Sequence, residues 1–209
     1  MKLYKEYPEK KIAVLNFASA INPGGGVLKG ASAQEECLCR CSTLYEVLNQ
    51  DDLWEKYYNV NRARQNSLYT DACIYSPGIV ICKSDTELPE RLRQAEFVSV
   101  DVITCAAPKL SRGFDINEDE SIRKELYKLY CKRISHILHI AAANKADILV
   151  LGAFGCGAFH NDPDLISKGF CNAMIDYLSR FDLIEFAIYC KEYETQNYEV
   201  FRNNLEMFL

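Results

Sequence analysis

The chain has 209 residues, 49% of them apolar, and a net charge of −5, enough to bury the core of one domain spanning residues 1–209. The acidic balance argues against general nucleic-acid binding, which needs a clustered excess of Lys and Arg; an anionic ligand has to be held locally, by main-chain amides and helix N-termini. Residues 1–11 are charged rather than apolar and no run reaches the length of a membrane-spanning helix, so a cytoplasmic protein with no membrane partner is expected.

Residues 11–17, through Ile12-Ala13-Val14-Leu15, read as a buried strand. Residues 18–31 form a loop of small residues with Pro23 and four glycines, three of them consecutive at Gly24-Gly25-Gly26. Such a run lets N–H groups approach an anion with no Cβ in the way. A helix follows, and Ser32-Ala33-Gln34-Glu35 has the form of a capping box with Ser32 as N-cap. That role would account for Glu35 but not for Glu36. The two carboxylates lie about 100° apart around a helix, so they cannot share one task; one can orient while the other reacts. Both fall in the first turn, where the helix dipole favours the ionised form and holds the pKa down. A general acid there needs opposing desolvation or a hydrogen bond from substrate.

Further along, residues 51–64 are polar and aromatic and read as partly helical, and residues 69–83 as short strands meeting at a turn on Pro77-Gly78. Residues 97–105 read as a strand. Residues 118–144 read as a long helix, with Leu126, Leu129, Tyr130, Ile134, Ile137, Leu138 and Ala141 spaced as a core-facing stripe. Residues 147–151 are a strand candidate. A second glycine loop, residues 152–161, then leads to Asp162-Pro163, a good N-cap followed by a good first helical residue. A helix over 164–180, a strand over 184–190 and a closing helix over 195–208 complete an α/β layered domain with a mostly parallel sheet.

Strand, glycine loop and helix N-terminus in that order make an anion cradle, although Gly152-Ala153-Phe154-Gly155-Cys156-Gly157 lacks the spacing of a dinucleotide fingerprint and a structural turn is the alternative. Phe159 is placed to stack on a ribose or an adenine or to join the core; Tyr75, Phe154 and Tyr189 are weaker candidates for stacking. Cys37, Cys39 and Cys41 are poorly disposed for a tetrahedral metal site, because helical spacing turns Cys39 away from the other two. The ten cysteines read mostly as buried thiols, Cys156 among them as a packing residue, since no His stands at a recognisable partner spacing. His136 and His139 share a helix face without completing a ligand set, and His160 borders the second loop within reach of a phosphate.

The glycine triplet, a short spacer and Gln34-Glu35-Glu36 resemble the signature of the macrodomain-type poly(ADP-ribose) glycohydrolases, in their microbial-type branch. The resemblance continues through Asn16-Phe17-Ala18-Ser19-Ala20, residues 30–36, Ile74-Tyr75-Ser76-Pro77, residues 102–108 and residues 151–163, in family order. It implies a three-layer macrodomain-like α/β fold, with a mostly parallel mixed sheet flanked by helices, and hydrolysis of ribose–ribose O-glycosidic bonds in poly(ADP-ribose) with release of ADP-ribose. Glu36 is then the reacting carboxyl and Glu35 orients the leaving ribose, with Gln34 in the same signature. The glycines hold sugar and diphosphate, and Gly152, Phe154, Gly155, Cys156, Gly157, Ala158 and Phe159 wrap the diphosphate. No metal and no cofactor enters this scheme.

Ser19 stands where animal members carry an Asn that holds the distal ribose, so the sugar contact is assigned to Asn22. Microbial relatives usually carry a further N-terminal segment, and this chain begins almost at its first strand, so edge strands and part of an adenine wall are expected to be missing. Removal of mono-ADP-ribose from a protein or nucleobase, on an ADP-ribosylated macromolecule, would use much the same residues. An ADP-ribose-binding module would keep both loops without needing Glu35 and Glu36 together.

Overall fold

Strands rich in β-branched residues and helices with one apolar face build two units, Met1–Ala106 and Ala107–Leu209, in the computed structural model, which describes residues 1–114 and 118–208.

In the first unit a short helix α1 (Lys2–Glu6) precedes β1 (Ile12–Phe17). β1 runs parallel to β3 (Val98–Cys105), with Ala13 opposite Asp101 and Phe17 opposite Cys105. β3 is buried along almost its whole length, its polar Asp101 and Thr104 included, as expected of a strand covered on both faces. β2 (Cys73–Ile81) pairs antiparallel with β3. It is one strand, not two meeting at a turn: Pro77 and Gly78 lie in a bulge where the register shifts between Ser76 and Ile79. Pro77 has no N–H for the ladder. Gly78 takes φ +67° and donates its N–H to Asp101 Oδ1 at 2.9 Å.

Asp101 is only 7% exposed and also accepts from the Tyr75 hydroxyl and from Lys11 Nζ at 3.0 Å. Burial pushes its pKa up, but the donors from Tyr75, Gly78 and Lys11 outweigh it and hold the carboxyl below its ordinary value. The remaining helices of this unit are α2 (Gln34–Cys41), α3 (Leu44–Leu48), and one helical run made of α4 (Asp51–Leu53), a π-helical segment Trp54–Tyr58 and α5 (Asn59–Ala63).

The second unit holds α6 (Glu120–Ala143), β4 (Ile148–Leu151), α7 (Pro163–Met174), β5 (Leu183–Phe186) and α8 (Gln196–Leu205). β4 and β5 are parallel, Ile148 opposite Leu183. The α6 stripe is buried at Leu126, Tyr130, Ile134, Ile137, Leu138 and Ala141, while Leu129 at its edge is half-buried. α7 crosses α6 closely at Gly169, where a Cβ would come 3.1 Å from Ile134 Cδ1. Phe170, Phe186 and Phe201 form an aromatic cluster with ring centroids 5.1 to 6.4 Å apart. α7 and β5 end earlier than their sequence patterns suggest, at Met174 and Phe186.

All ten cysteines are free thiols, but only Cys39, Cys41 and Cys105 are buried; six are half-buried and Cys190 is exposed. An apolar setting in sequence therefore overstated their burial, because several sit on the outer flank of a helix or at a strand end. Among the described residues no helix is long and apolar enough to cross a membrane.

Asp101 ties the bulge of β2 to the central strand. Asp101→Ala is expected to lower stability by about 1–2 kcal/mol, by taking the acceptor from the half-buried Tyr75 hydroxyl and from Gly78 N, and denaturant unfolding measures it. The loss should shrink as pH falls through the depressed carboxyl pKa, where the wild-type carboxylate itself is neutralised.

Candidate active site

α2 opens with Gln34, not with a capping box. The N-cap is Ala33, which offers no side-chain hydrogen bond, and Ser32 stands outside the helix. The reason lies in tertiary partners. Gln34 Oε1 accepts from Phe17 N at 2.9 Å and its Nε2 donates to Leu15 O at 2.8 Å, locking the helix start onto the end of β1. Glu35, freed from capping, turns into the unit: its Oε2 accepts from Ser19 N at 2.7 Å and its Oε1 from Asn16 Nδ2 at 3.3 Å. Asn16, itself completely buried, also donates to Thr104 Oγ1 at 3.2 Å. Glu36 Oε1 accepts from Gly26 N at 2.8 Å.

The glycine triplet is therefore folded directly over the carboxylates. Gly25 has φ +58°, and a Cβ there would collide with Glu36 Oε1 and lie 3.0 Å from Glu35 Oε2. Glycine is required at this position twice over, for its conformation and for the absence of a side chain. The loop is not wholly irregular, since Val27–Lys29 form a 3-10 turn. Gly25 N donates to Asn22 O, and Asn22 N donates to Ser19 Oγ at 3.1 Å.

Both carboxylates are buried, Glu35 at 2% and Glu36 at 8% exposure. Desolvation pushes the Glu35 pKa up to about 8. The donors Ser19 N and Asn16 pull against it, and the charge of Glu36 adds to the rise. The helix dipole, expected to keep this first-turn carboxyl acidic, is thus overruled by burial. Tyr57 and Tyr58, buried beside Glu35, have their own hydroxyl pKa values raised, first by burial. Glu35 consequently holds a proton near neutrality. Both of its oxygens are engaged by protein donors, whereas Glu36 Oε2 takes none among the described residues.

The second glycine loop belongs to the other unit and is organised by Asn161, 3% exposed. Asn161 Oδ1 accepts from the Tyr130 hydroxyl at 2.7 Å, and its Nδ2 donates to Pro108 O at 2.7 Å and Gly155 O at 2.9 Å. Gly155 takes φ +75°, and a Cβ there would lie 2.5 Å from both Ala107 Cβ and Asn161 Nδ2. The N–H groups of Gly155, Gly157 and Ala158 have no acceptor among the described residues. Asp162 caps α7 by accepting from Asp164 N and Leu165 N, with Pro163 in the first turn, as its sequence indicates. Unsatisfied main-chain donors ahead of a helix N-terminus are the features an oxyanion requires.

Other expected residues fall as follows. Gly24, Gly25, Gly26, Gln34, Glu35 and Glu36 come together. Asn22 lies in the same loop, with its Oδ1 taken by Arg62 Nη2 at 2.7 Å. Gly152 and Phe154 are buried, Phe154 at 1% exposure, so its ring packs in the core and it can offer a ligand only main chain. Phe159 is half-buried, Tyr189 is exposed, and Tyr75 is tied to Asp101. The Cys156 thiol is pushed well above its ordinary pKa, by burial first and by Asp162 next, which suits packing and not nucleophilic attack. Thr104 and Tyr130 carried no chemical signal in the sequence. Asn16 had one, as a polar residue inside an otherwise apolar strand, and Ser19 is marked there only by standing in place of a family Asn.

A family model described as the catalytic domain of microbial-type PARG matches residues 1–84. The chain is similar to the poly(ADP-ribose) glycohydrolase of Deinococcus radiodurans solved in complex with ADP-ribose, with 33% identity over 100% of this chain and 81% of that one and a TM-score of 0.84. It is likewise similar to the enzyme of Thermomonospora curvata bound to the inhibitor ADP-HPD, with 32% identity, 97% and 73% coverage and a TM-score of 0.85. No curated protein sequence matches it.

Titration of Glu35, followed by carboxyl carbon NMR, is expected to show a midpoint near 8 against an ordinary 4.5. The folded protein then holds this proton over an interval in which the unfolded chain releases it, so this carboxyl's contribution to stability falls as pH rises from 4.5 to about 8. Glu35→Gln should remove that slope, which denaturant unfolding at a series of pH values between 4.5 and about 8 reads.

Proposed function

The chain belongs to the microbial-type poly(ADP-ribose) glycohydrolase family, and from that membership we propose that it hydrolyses the ribose–ribose O-glycosidic bonds of poly(ADP-ribose) and releases ADP-ribose. Glu36 is the reacting carboxyl. In its protonated form it gives its proton to the departing ribose oxygen as positive charge develops at the anomeric carbon. As carboxylate it then takes a proton from the water that attacks that carbon, and the acid is regenerated.

The observation that carries this division of roles is the unequal engagement of the two carboxyls. Glu35 is held at both oxygens, by Asn16 and Ser19 N, while Glu36 keeps Oε2 without a donor among the described residues. A proton carrier needs an oxygen open to substrate, and an orienting group needs a fixed position. Glu35, neutral near pH 7, faces the sugar hydroxyls of the leaving ribose. Its neutrality also spares Glu36 a like charge when Glu36 is ionised. One carboxyl serving both half-reactions differs from the paired-carboxylate plan of most glycosidases; close positioning of the sugar under the loop supplies much of the rate.

The second loop is assigned the diphosphate, supported by the N–H groups of Gly155, Gly157 and Ala158. Phe159 is assigned a stacking contact with the ligand and Asn22 a contact with the sugar through its amide nitrogen.

Glu36→Gln is expected to abolish release of ADP-ribose from the polymer, a loss of at least about 10³-fold, while calorimetric affinity for ADP-ribose stays within a few-fold of wild type. A Glu36→Gln protein that still cleaves the polymer overturns the assignment; turnover of mono-ADP-ribosylated protein with none of polymer would shift the substrate class. Gly155→Ala should weaken ADP-ribose binding by about tenfold or more, through an obstructed and strained loop, which the same calorimetry reads.

A further inference from the structure

The glycine loop that grips both carboxyls is itself gripped from outside by one side chain. Arg62 on α5 donates from Nε to Ile21 O at 2.8 Å and from Nη2 to Asn22 Oδ1 at 2.7 Å. These two acceptors lie at the hinge of the loop. Upstream, Asn22 N is bonded to Ser19 Oγ, and Ser19 N to Glu35. Downstream, Asn22 O receives Gly25 N, and Gly26 N holds Glu36. A displacement at residues 21–22 is therefore transmitted to both carboxyls, upstream through the Ser19 hydroxyl and N–H and downstream through the N–H groups of Gly25 and Gly26.

Arg62 is exposed, and an exposed arginine is held in place only if something restricts its rotamers. Trp54 does so: the guanidinium carbon stands 4.6 Å from its ring centroid, within cation–π range, and Trp54 Nε1 is in turn fixed by Asn49 Oδ1 at 3.0 Å. The stack depends on the π-helical segment Trp54–Tyr58. In an unbroken α-helix residues eight apart lie about 80° apart around the axis. The wider turns of a π segment advance less per residue and bring position 62 back over position 54. The π segment thus places the arginine, the tryptophan holds it flat, and its planar fork meets two acceptors that a lysine could not satisfy together.

We infer that Arg62 is a positioning residue for catalysis: stacked on Trp54, it pins Ile21 and Asn22 and so sets the glycine loop on Glu35 and Glu36. Its effect on turnover rests on the glycohydrolase reading above, but its effect on the geometry of Glu35 does not. The titratable groups around Glu35 are Glu36 and Cys39 on α2 and Tyr57 and Tyr58 on the π segment, and none of them is altered by substituting Arg62.

The test compares wild type, Arg62→Ala and Arg62→Lys at a temperature well below all three melting points. Arg62→Ala is expected to lower kcat for ADP-ribose release by roughly 10- to 100-fold. Because the Ser19 N–H favours the ionised form of Glu35, slackening it should move the Glu35 NMR titration of the ligand-free protein to higher pH. Arg62→Lys should restore neither reading, and millimolar guanidinium should raise the activity of Arg62→Ala but not of wild type. Wild-type kcat and an unmoved Glu35 titration in folded Arg62→Ala would reduce Arg62 to a surface contact and overturn the inference. Should Arg62→Ala not fold, Arg62→Gln, which removes the guanidinium fork and leaves the contacts of Trp54 with Asn49 and Tyr58 in place, must shift both readings in the same directions. If wild type releases no ADP-ribose from polymer, the glycohydrolase reading fails, and the Glu35 titration still decides the role of Arg62.

Discussion

Two carboxyl groups on adjacent residues are buried under a loop whose middle residue has no side chain, and the rest of the first unit follows from holding them there. Burying an ionised carboxylate without compensation is prohibitively costly. Two solutions are used side by side. Glu35 receives donors on both oxygens and is further relieved by protonation up to about pH 8. Glu36 receives, among the described residues, only the donor of Gly26, which leaves it an oxygen for chemistry. The asymmetry comes from where each residue points on α2: one toward the end of β1, the other toward the loop.

That arrangement constrains elements some distance away. Gln34 must lock α2 onto β1 through Phe17 N and Leu15 O, because a rotation of α2 would exchange the surroundings of the two glutamates. Asn16 has to sit inside an apolar strand, bridging Glu35 and Thr104, and accept its own desolvation. β3, buried on both faces, carries Thr104 for this purpose at one end and Asp101 nearer its middle to anchor the bulge of β2. Asn16, Thr104, Glu35 and Asp101 are thus committed to one another or to main-chain donors, which limits substitution there more sharply than apolar packing does.

In the second unit a single amide plays the comparable part. Asn161 draws Tyr130, Pro108 and Gly155 onto one side chain, so the glycine loop is shaped by hydrogen bonds from behind and leaves N–H groups of its own without acceptors among the described residues. Rigid support for an anion-binding loop costs less on binding than a mobile one would, since fewer torsions are ordered when the ligand arrives.

Much of this was legible in the residues themselves. The alternation of strands and helices, the two glycine loops, the Asp162-Pro163 helix start and the pairing of the triplet with Gln34-Glu35-Glu36 depend on local pattern and spacing, which a linear sequence carries. Two readings failed for one reason. Ser32 as a cap and Pro77-Gly78 as a turn were arguments from neighbours in sequence, and each was overruled by a partner far along the chain: Phe17 for Gln34 and Asp101 for Gly78. At Glu35 it is burial that outweighs the helix dipole, against the pull of Asn16 and Ser19 N. The sequence alone thus determined which groups are available for the chemistry, because residue type and spacing are written in it. Which carboxyl is held at both oxygens and which keeps one open was decided only by the tertiary structure, because burial and hydrogen-bond partners arise from segments that meet only in the folded chain.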